Sequence, residues 1–155
     1  MAGVEAGKRG KRMSATIHET DFYLWTQQQA ALLRQGQFSA LDTVQLMEEI
    51  EAMGGSERHA LASYLKNILL HLLKWKYQPE RRGNSWRVSI INGRDGVERA
   101  LEYSPSLARH LPAMMSAEYQ RARKVAAIET GLPLSTFPEM CPFTLEQITG
   151  DHWPD

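Results

Sequence analysis

Apolar residues recur every three or four positions through most of the chain, the spacing that gathers them on one side of an α-helix. The pattern is densest from Ser56 to Tyr77, where Leu61, Leu65, Ile68, Leu72 and Trp75 form one stripe. Leu69, Leu70 and Leu73 carry apolar surface round the far side. A helix apolar over so much of its circumference must be covered from several directions, so this segment is predicted to be a central helix at about residues 57–77. Gly54-Gly55 with a Ser56 N-cap is read as its start and Gln78-Pro79 as its stop.

The same reading gives the remaining elements. Asp21 opens a first helix in which Phe22, Trp25, Gln29, Leu32 and Leu33 share a face, and Gly36 ends it. Its Phe, Tyr and Trp are read as a hydrophobic anchor. Asp42-Thr43-Val44-Gln45 fits a capping box, with Asp42 accepting from the third helical amide and Gln45 reaching back. Leu46, Met47, Ile50 and Met53 are predicted to be the buried side of that second helix, which Gly54-Gly55 terminates. Trp86, Ile90, Val97 and Leu101 mark the helix after the central one, where Gly93 and Gly96 predict a kink or a close helix approach. Arg87, Arg94 and Glu98 are read as its solvated side. A further helix runs from Pro112 to about Thr130 with Met115, Tyr119, Ala122 and Ala126 inward, and Gly131 stops it. Thr144 to Gln147 offers a capping box for a last short helix, after which Trp153 pins the tail.

No segment alternates apolar and polar residues between turn signals, so no sheet is expected. The predicted fold class is all-α, a single-domain helical bundle with four or five principal helices. Residues 1–17 are expected to be a flexible basic leader and residues 18–155 one helical domain.

Charge and composition narrow the function classes. Lys plus Arg and Asp plus Glu are equal at 18 each, so no global field favours nucleic acid or an anionic membrane. Cys141, the only cysteine, excludes an internal disulfide framework and a cysteine-based zinc cluster. No apolar run approaches the roughly 20 residues of a spanning helix. A soluble, cytoplasmic protein with no membrane partner is expected.

Candidate chemistry is sparse. Asn67, His71 and Lys74 form a polar strip edged by Tyr64 and Trp75, in which His71 is either a packed, hydrogen-bonded histidine or a catalytic or ligating one. Of the carboxylates on the second helix, Glu49 flanks the apolar stripe whereas Glu48 points nearly opposite. A buried Glu49 would need a Lys, Arg or His beside it. His18, His59, His71, His110 and His152 are scattered, so a metal site would have to be assembled across helices, with Glu49, His71 and Glu129 as its ligands. His71, Glu49, Arg82 and Tyr119 are the residues of an enzymatic or RNA-processing reading. Cys141, between Met140 and Pro142, is read as packed rather than nucleophilic. Arg12 to His18 matches the R-x(4-6)-H nuclease spacing only by coincidence, because it falls outside a good helix.

The elbow after the central helix offers a binding surface of another kind. Arg81, Arg82 and Arg87, with Lys74 and Lys76, are interleaved with Trp75, Tyr77 and Trp86, the composition of an RNA or anion surface with stacking partners. Against this, Arg82 would equally cap carbonyls left by the central helix or pair with Glu49.

DFYLW at 21–25, LLR at 32–34, EEIE at 48–51, HLLKWKYQP at 71–79, Arg82 with Ser85-Trp86, SPSL at 104–107 and ETGL at 129–132 resemble the bacterial domain of unknown function family 29. The resemblance extends over about residues 20–154 and includes the FP, CP and WP pairs near the end. Asn92-Gly93-Arg94 departs from the family's Gln-Arg. The resemblance implies a helical bacterial protein and carries no established activity, cofactor or substrate. The function expected is a non-catalytic protein-interaction module without a cofactor, its partner another protein or a second copy, with nucleic acid ranking below these. The alternative is a metal-dependent enzyme or RNA-processing module around His71.

Overall fold

The computed structural model describes residues 17–155. The expected leader lies outside them apart from Ile17, as does Arg12. Five helices are named here as α1 (Phe22–Arg34), α2 (Thr43–Tyr77), α3 (Asn84–Tyr103), α4 (Leu111–Thr130) and α5 (Leu145–Thr149). A helical turn over residues 17–20 precedes α1, and short 3-10 turns include Pro79–Arg81 and Pro105–His110. Among the described residues there is no strand, and the fold is all-α as predicted.

The expected break at Gly54-Gly55 is absent, because α2 runs through both glycines as one helix of 35 residues. A glycine stop uses the left-handed conformation, which Gly36 (φ 70°) and Gly131 (φ 71°) adopt and Gly54 and Gly55 do not. Each mid-helix glycine costs about 1 kcal/mol relative to Ala, a penalty that long helical runs on both sides outweigh. The chain falls into two compact units that divide at this point.

In the first unit, ending at Gly54, Trp25 and Gln29 are the only buried side chains among the described residues. Trp25 meets the edge of His18 at 4.7 Å between ring centroids and stacks on Phe22 at 5.7 Å. Its indole N–H donates to Asp42 Oδ2 at 3.3 Å. Asp42 also accepts from the Gln45 amide at 3.4 Å, as a capping residue should. The reciprocal arm is not Gln45, however. The Asp42 N–H donates to Gln29 Oε1 at 2.8 Å, so a side chain from α1 completes the cap and fixes the α1–α2 turn. Phe22 and Leu33, predicted to lie inward with Trp25, are half-exposed, since so small a unit has little to cover them.

The second unit, from Gly55, holds the core. Leu61, Leu65, Ile68, Leu69, Leu72 and Leu73 of α2 are fully buried against Ile90 and Val97 of α3, Tyr119, Ala122 and Ala126 of α4, and Ile148 of α5. This is the central segment read from the sequence, apolar on both sides and covered on both. Close approach, not a kink, explains the α3 glycines. A Cβ on Gly93 would sit 2.6 Å from Ile68 Cγ1, and one on Gly96 2.6 Å from the Tyr64 ring. Asn67 Nδ2 donates to the Ser89 carbonyl at 3.1 Å, which sets the two helices in register. The Thr144 capping box is complete, with Gln147 N–H to Thr144 Oγ1 at 3.2 Å and Thr144 N–H to Gln147 Oε1 at 2.9 Å.

Candidate functional site

The basic elbow is the first place to look for a binding surface, and its cations divide: Lys74 is buried and Arg82 half-buried, while Lys76, Arg81 and Arg87 are exposed. Arg82 Nε donates to the Trp75 carbonyl at 2.7 Å, closing an acceptor left open at the end of α2, while its guanidinium lies 5.2 Å from the Trp75 ring. Arg82 thus takes the capping role and not the ion pair with Glu49. Trp75 is half-buried and tilts against Trp153 at 5.0 Å, and Arg87 lies near both rings. Arg81 is exposed.

Arg94 departs from its predicted place on a solvated face. Its guanidinium donates to the carbonyls of Ile148 and Gln147 at 3.0 Å each and of His152 at 2.6 Å, and rests 5.5 Å from the Trp153 ring. The Gln147 and Ile148 carbonyls in the last turn of α5 have no helical partner and the His152 carbonyl lies in the tail beyond it, and a planar, permanently charged fork satisfies all three. Burial lowers the pKa of Arg94 from its ordinary value, with Asp151 opposing. Arg82, Arg94 and Trp153 therefore clamp the C-terminal segment to the body of the unit.

On the Asn67, His71, Lys74 strip, Lys74 is buried, donates to Glu129 Oε2 at 2.6 Å and lies 4.7 Å over the Trp86 ring. Next to it, buried Gln78 donates to the Thr130 carbonyl at 3.2 Å, so the ends of α2 and α4 are tied by two side chains. His71 Nδ1 donates to the Asn67 carbonyl at 2.8 Å, which leaves the neutral ring with its lone pair on Nε2. Burial lowers the His71 pKa; Lys74 acts in the same direction, and the Asn67 carbonyl and Glu129 oppose.

The other sequence candidates are held by single partners. Glu49 accepts from His18 Nε2 at 2.7 Å, the histidine partner its position called for. Tyr119 is buried and donates to the Pro138 carbonyl at 2.5 Å, and its pKa is pushed up to about 12, chiefly by burial. Cys141 Sγ donates to the Phe143 carbonyl at 3.4 Å, and burial raises its pKa, which disfavours the thiolate a nucleophile needs. Among the described residues no group of three or more His, Cys, Asp or Glu side chains is placed to hold a metal ion. Glu49, His71 and Glu129 are thus not brought together as a ligand set. No helix among the described residues is long and apolar enough to cross a membrane.

Among the exposed apolar residues, a group lies on the first turns of α2. Met47, Ile50 and Met53, predicted to be buried, are 54%, 65% and 69% exposed. Leu46 beside them is half-buried and Val44 is exposed. At 100° per residue, Leu46, Met47, Ile50 and Met53 occupy an arc of about 120°, with Glu49 at one edge and Glu51 at the other. By spacing alone Leu61, Leu65, Ile68 and Leu72 fall on the same arc, so one apolar stripe is core in its second half and bare in its first. The sequence reveals the stripe but not its exposure. The one local feature that sets it apart is the carboxylate pair Glu49 and Glu51 framing four apolar residues.

No curated protein and no solved structure matches this chain. The family described as domain of unknown function DUF29 matches residues 17–154, nearly all of the described chain. The chain therefore belongs to the DUF29 family.

Proposed function

We propose that this protein is a non-catalytic interaction module whose binding face is the stripe Leu46, Met47, Ile50 and Met53 on α2. The observation that carries this reading is an apolar helical face that is amphipathic by sequence and on which Met47, Ile50 and Met53 have no cover among the described residues. Scattered apolar residues are normal on a protein surface, but four on one framed arc mark a contact site. The polar candidates support the same reading from the other side. Arg82, Arg94, Lys74, Glu129 and Tyr119 each have an internal partner, so their roles in the fold account for them. Two flexible methionines in the stripe suit a surface that repacks against another helix.

In-cell photocrosslinking tests the reading. A benzoylphenylalanine at position 50 is expected to give a discrete crosslinked product with another polypeptide. The same probe at position 128, where Ile128 is 81% exposed on α4, is expected to give none. No product at position 50, or the same products at both positions, would contradict the proposal.

A further inference from the structure

We infer that the partner of this stripe is a cationic amphipathic helix, an inference that rests on the interaction reading and names its partner class. Charge makes the choice. Between residues 17 and 54 the acidic side chains Glu19, Asp21, Asp42, Glu48, Glu49 and Glu51 face a single basic one, Arg34. The balance of the whole sequence is even, so the stretch 17–54 concentrates negative charge that the rest of the chain, Lys8, Arg9, Lys11 and Arg12 among it, offsets. The carboxylates also stand where they matter. Glu51 edges the apolar arc on one side and Glu49 on the other, and Glu48 lies one step further round. Of these Glu49 is held by His18, while Glu48 and Glu51 are exposed and have no ion pair among the described residues.

An apolar seam framed by carboxylates is complementary to a helix with an apolar face and flanking Lys or Arg. Helix-in-groove recognition lays the apolar face of one helix along an apolar surface, and the stripe at 46, 47, 50 and 53, spaced i, i+1, i+4 and i+7, offers two turns of such a surface. A second copy of this chain is a poorer occupant, because two such faces would bring Glu49 and Glu51 against their own kind. The 11 residues of α2 from Thr43 to Met53 rise about 16 Å, a length along which a docking helix can lie.

The test uses the full chain with labelled methionine methyls and two synthetic probes. One is an 18-residue leucine/lysine amphipathic peptide, and the other is the leucine/glutamate peptide of the same apolar pattern. The lysine peptide is expected to bind one to one and to shift the Met47 and Met53 methyl signals. Its affinity should weaken at least tenfold between 50 and 500 mM salt, and at least fivefold in the Glu48→Gln/Glu51→Gln double variant. The Ile50→Ser variant should lose at least tenfold. Equal binding of the glutamate peptide, or shifts confined to other methionines, would overturn the inference. So would a free chain that sediments as a dimer with Met47 and Met53 in the interface, or one whose stripe contacts its own residues 1–16. If the lysine peptide fails while the position-50 crosslink forms, the partner class falls and the interaction module stands. If both fail, both fall.

Discussion

His71 shows how much a single residue's surroundings decide. Its spacing beside Asn67 and Lys74 admits a catalytic or a packed histidine, and sequence alone does not separate them. The structure gives Nδ1 a backbone carbonyl and a half-buried site that lowers the pKa. Since the folded state disfavours the charged ring, the unfolded chain binds more protons as pH falls below its value of about 6.5. His71 therefore contributes stability that is present above that pH and lost as pH falls through the depressed folded value. Urea unfolding from pH 8 to pH 5 should show a steeper loss below pH 6.5 for the native chain than for His71→Gln, and parallel curves would contradict it. Arg94 was less legible. Its wheel position beside Arg87 and Glu98 is that of a solvated residue, and its three acceptors lie more than 50 positions away. No local pattern reports so distant a need.

At the scale of elements, glycine separates what the chain shows locally from what packing decides. Gly36 and Gly131 end helices as predicted, because each is followed by residues that do not resume the pattern and each takes positive φ. Gly54-Gly55 has the same appearance in sequence, yet both neighbouring segments share one phase, and continuity wins. Nothing lies within 4 Å of a Cβ at either position. Gly55→Ala should therefore stabilise the protein by about 0.5–1 kcal/mol through helix propensity and unfolded-state entropy. Gly93→Ala gains the same propensity but drives a methyl against buried Ile68, at a cost of about 1–3 kcal/mol for overpacking. Equilibrium unfolding of the two variants should move in opposite directions, and a shared sign would contradict the packing assigned to either site. The Asp42 cap teaches a similar lesson. Its start signal was readable, whereas the Gln29 arm that completes it comes from another helix.

For the molecule as a whole, the all-α class and the central segment of α2 were legible because periodicity and apolar density are local properties. Which half of the α2 stripe finds cover was not, because burial depends on α3, α4 and α5 packing around residues after Gly55, whereas α1 is the one long helix described before Thr43. The core-like pattern before Gly55 is what the proposed interaction face accounts for. The basic elbow is the converse case. Part of a composition suited to RNA is taken up within the fold, Arg82 by helix capping and Lys74 by its ion pair with Glu129, while Lys76, Arg81 and Arg87 stay exposed. The central claim is that one helical stripe serves as core in its second half and as a contact face in its first. Chemical unfolding of Ile50→Ser beside Ile68→Ser tests it most directly. Ile68→Ser should lose at least about 3 kcal/mol, because it empties a fully buried site and places a hydroxyl there. Ile50→Ser should stay within about 0.5 kcal/mol of the native chain at any protein concentration. A loss at Ile50 comparable to that at Ile68 would show the first half of the stripe to be core, and would contradict the account.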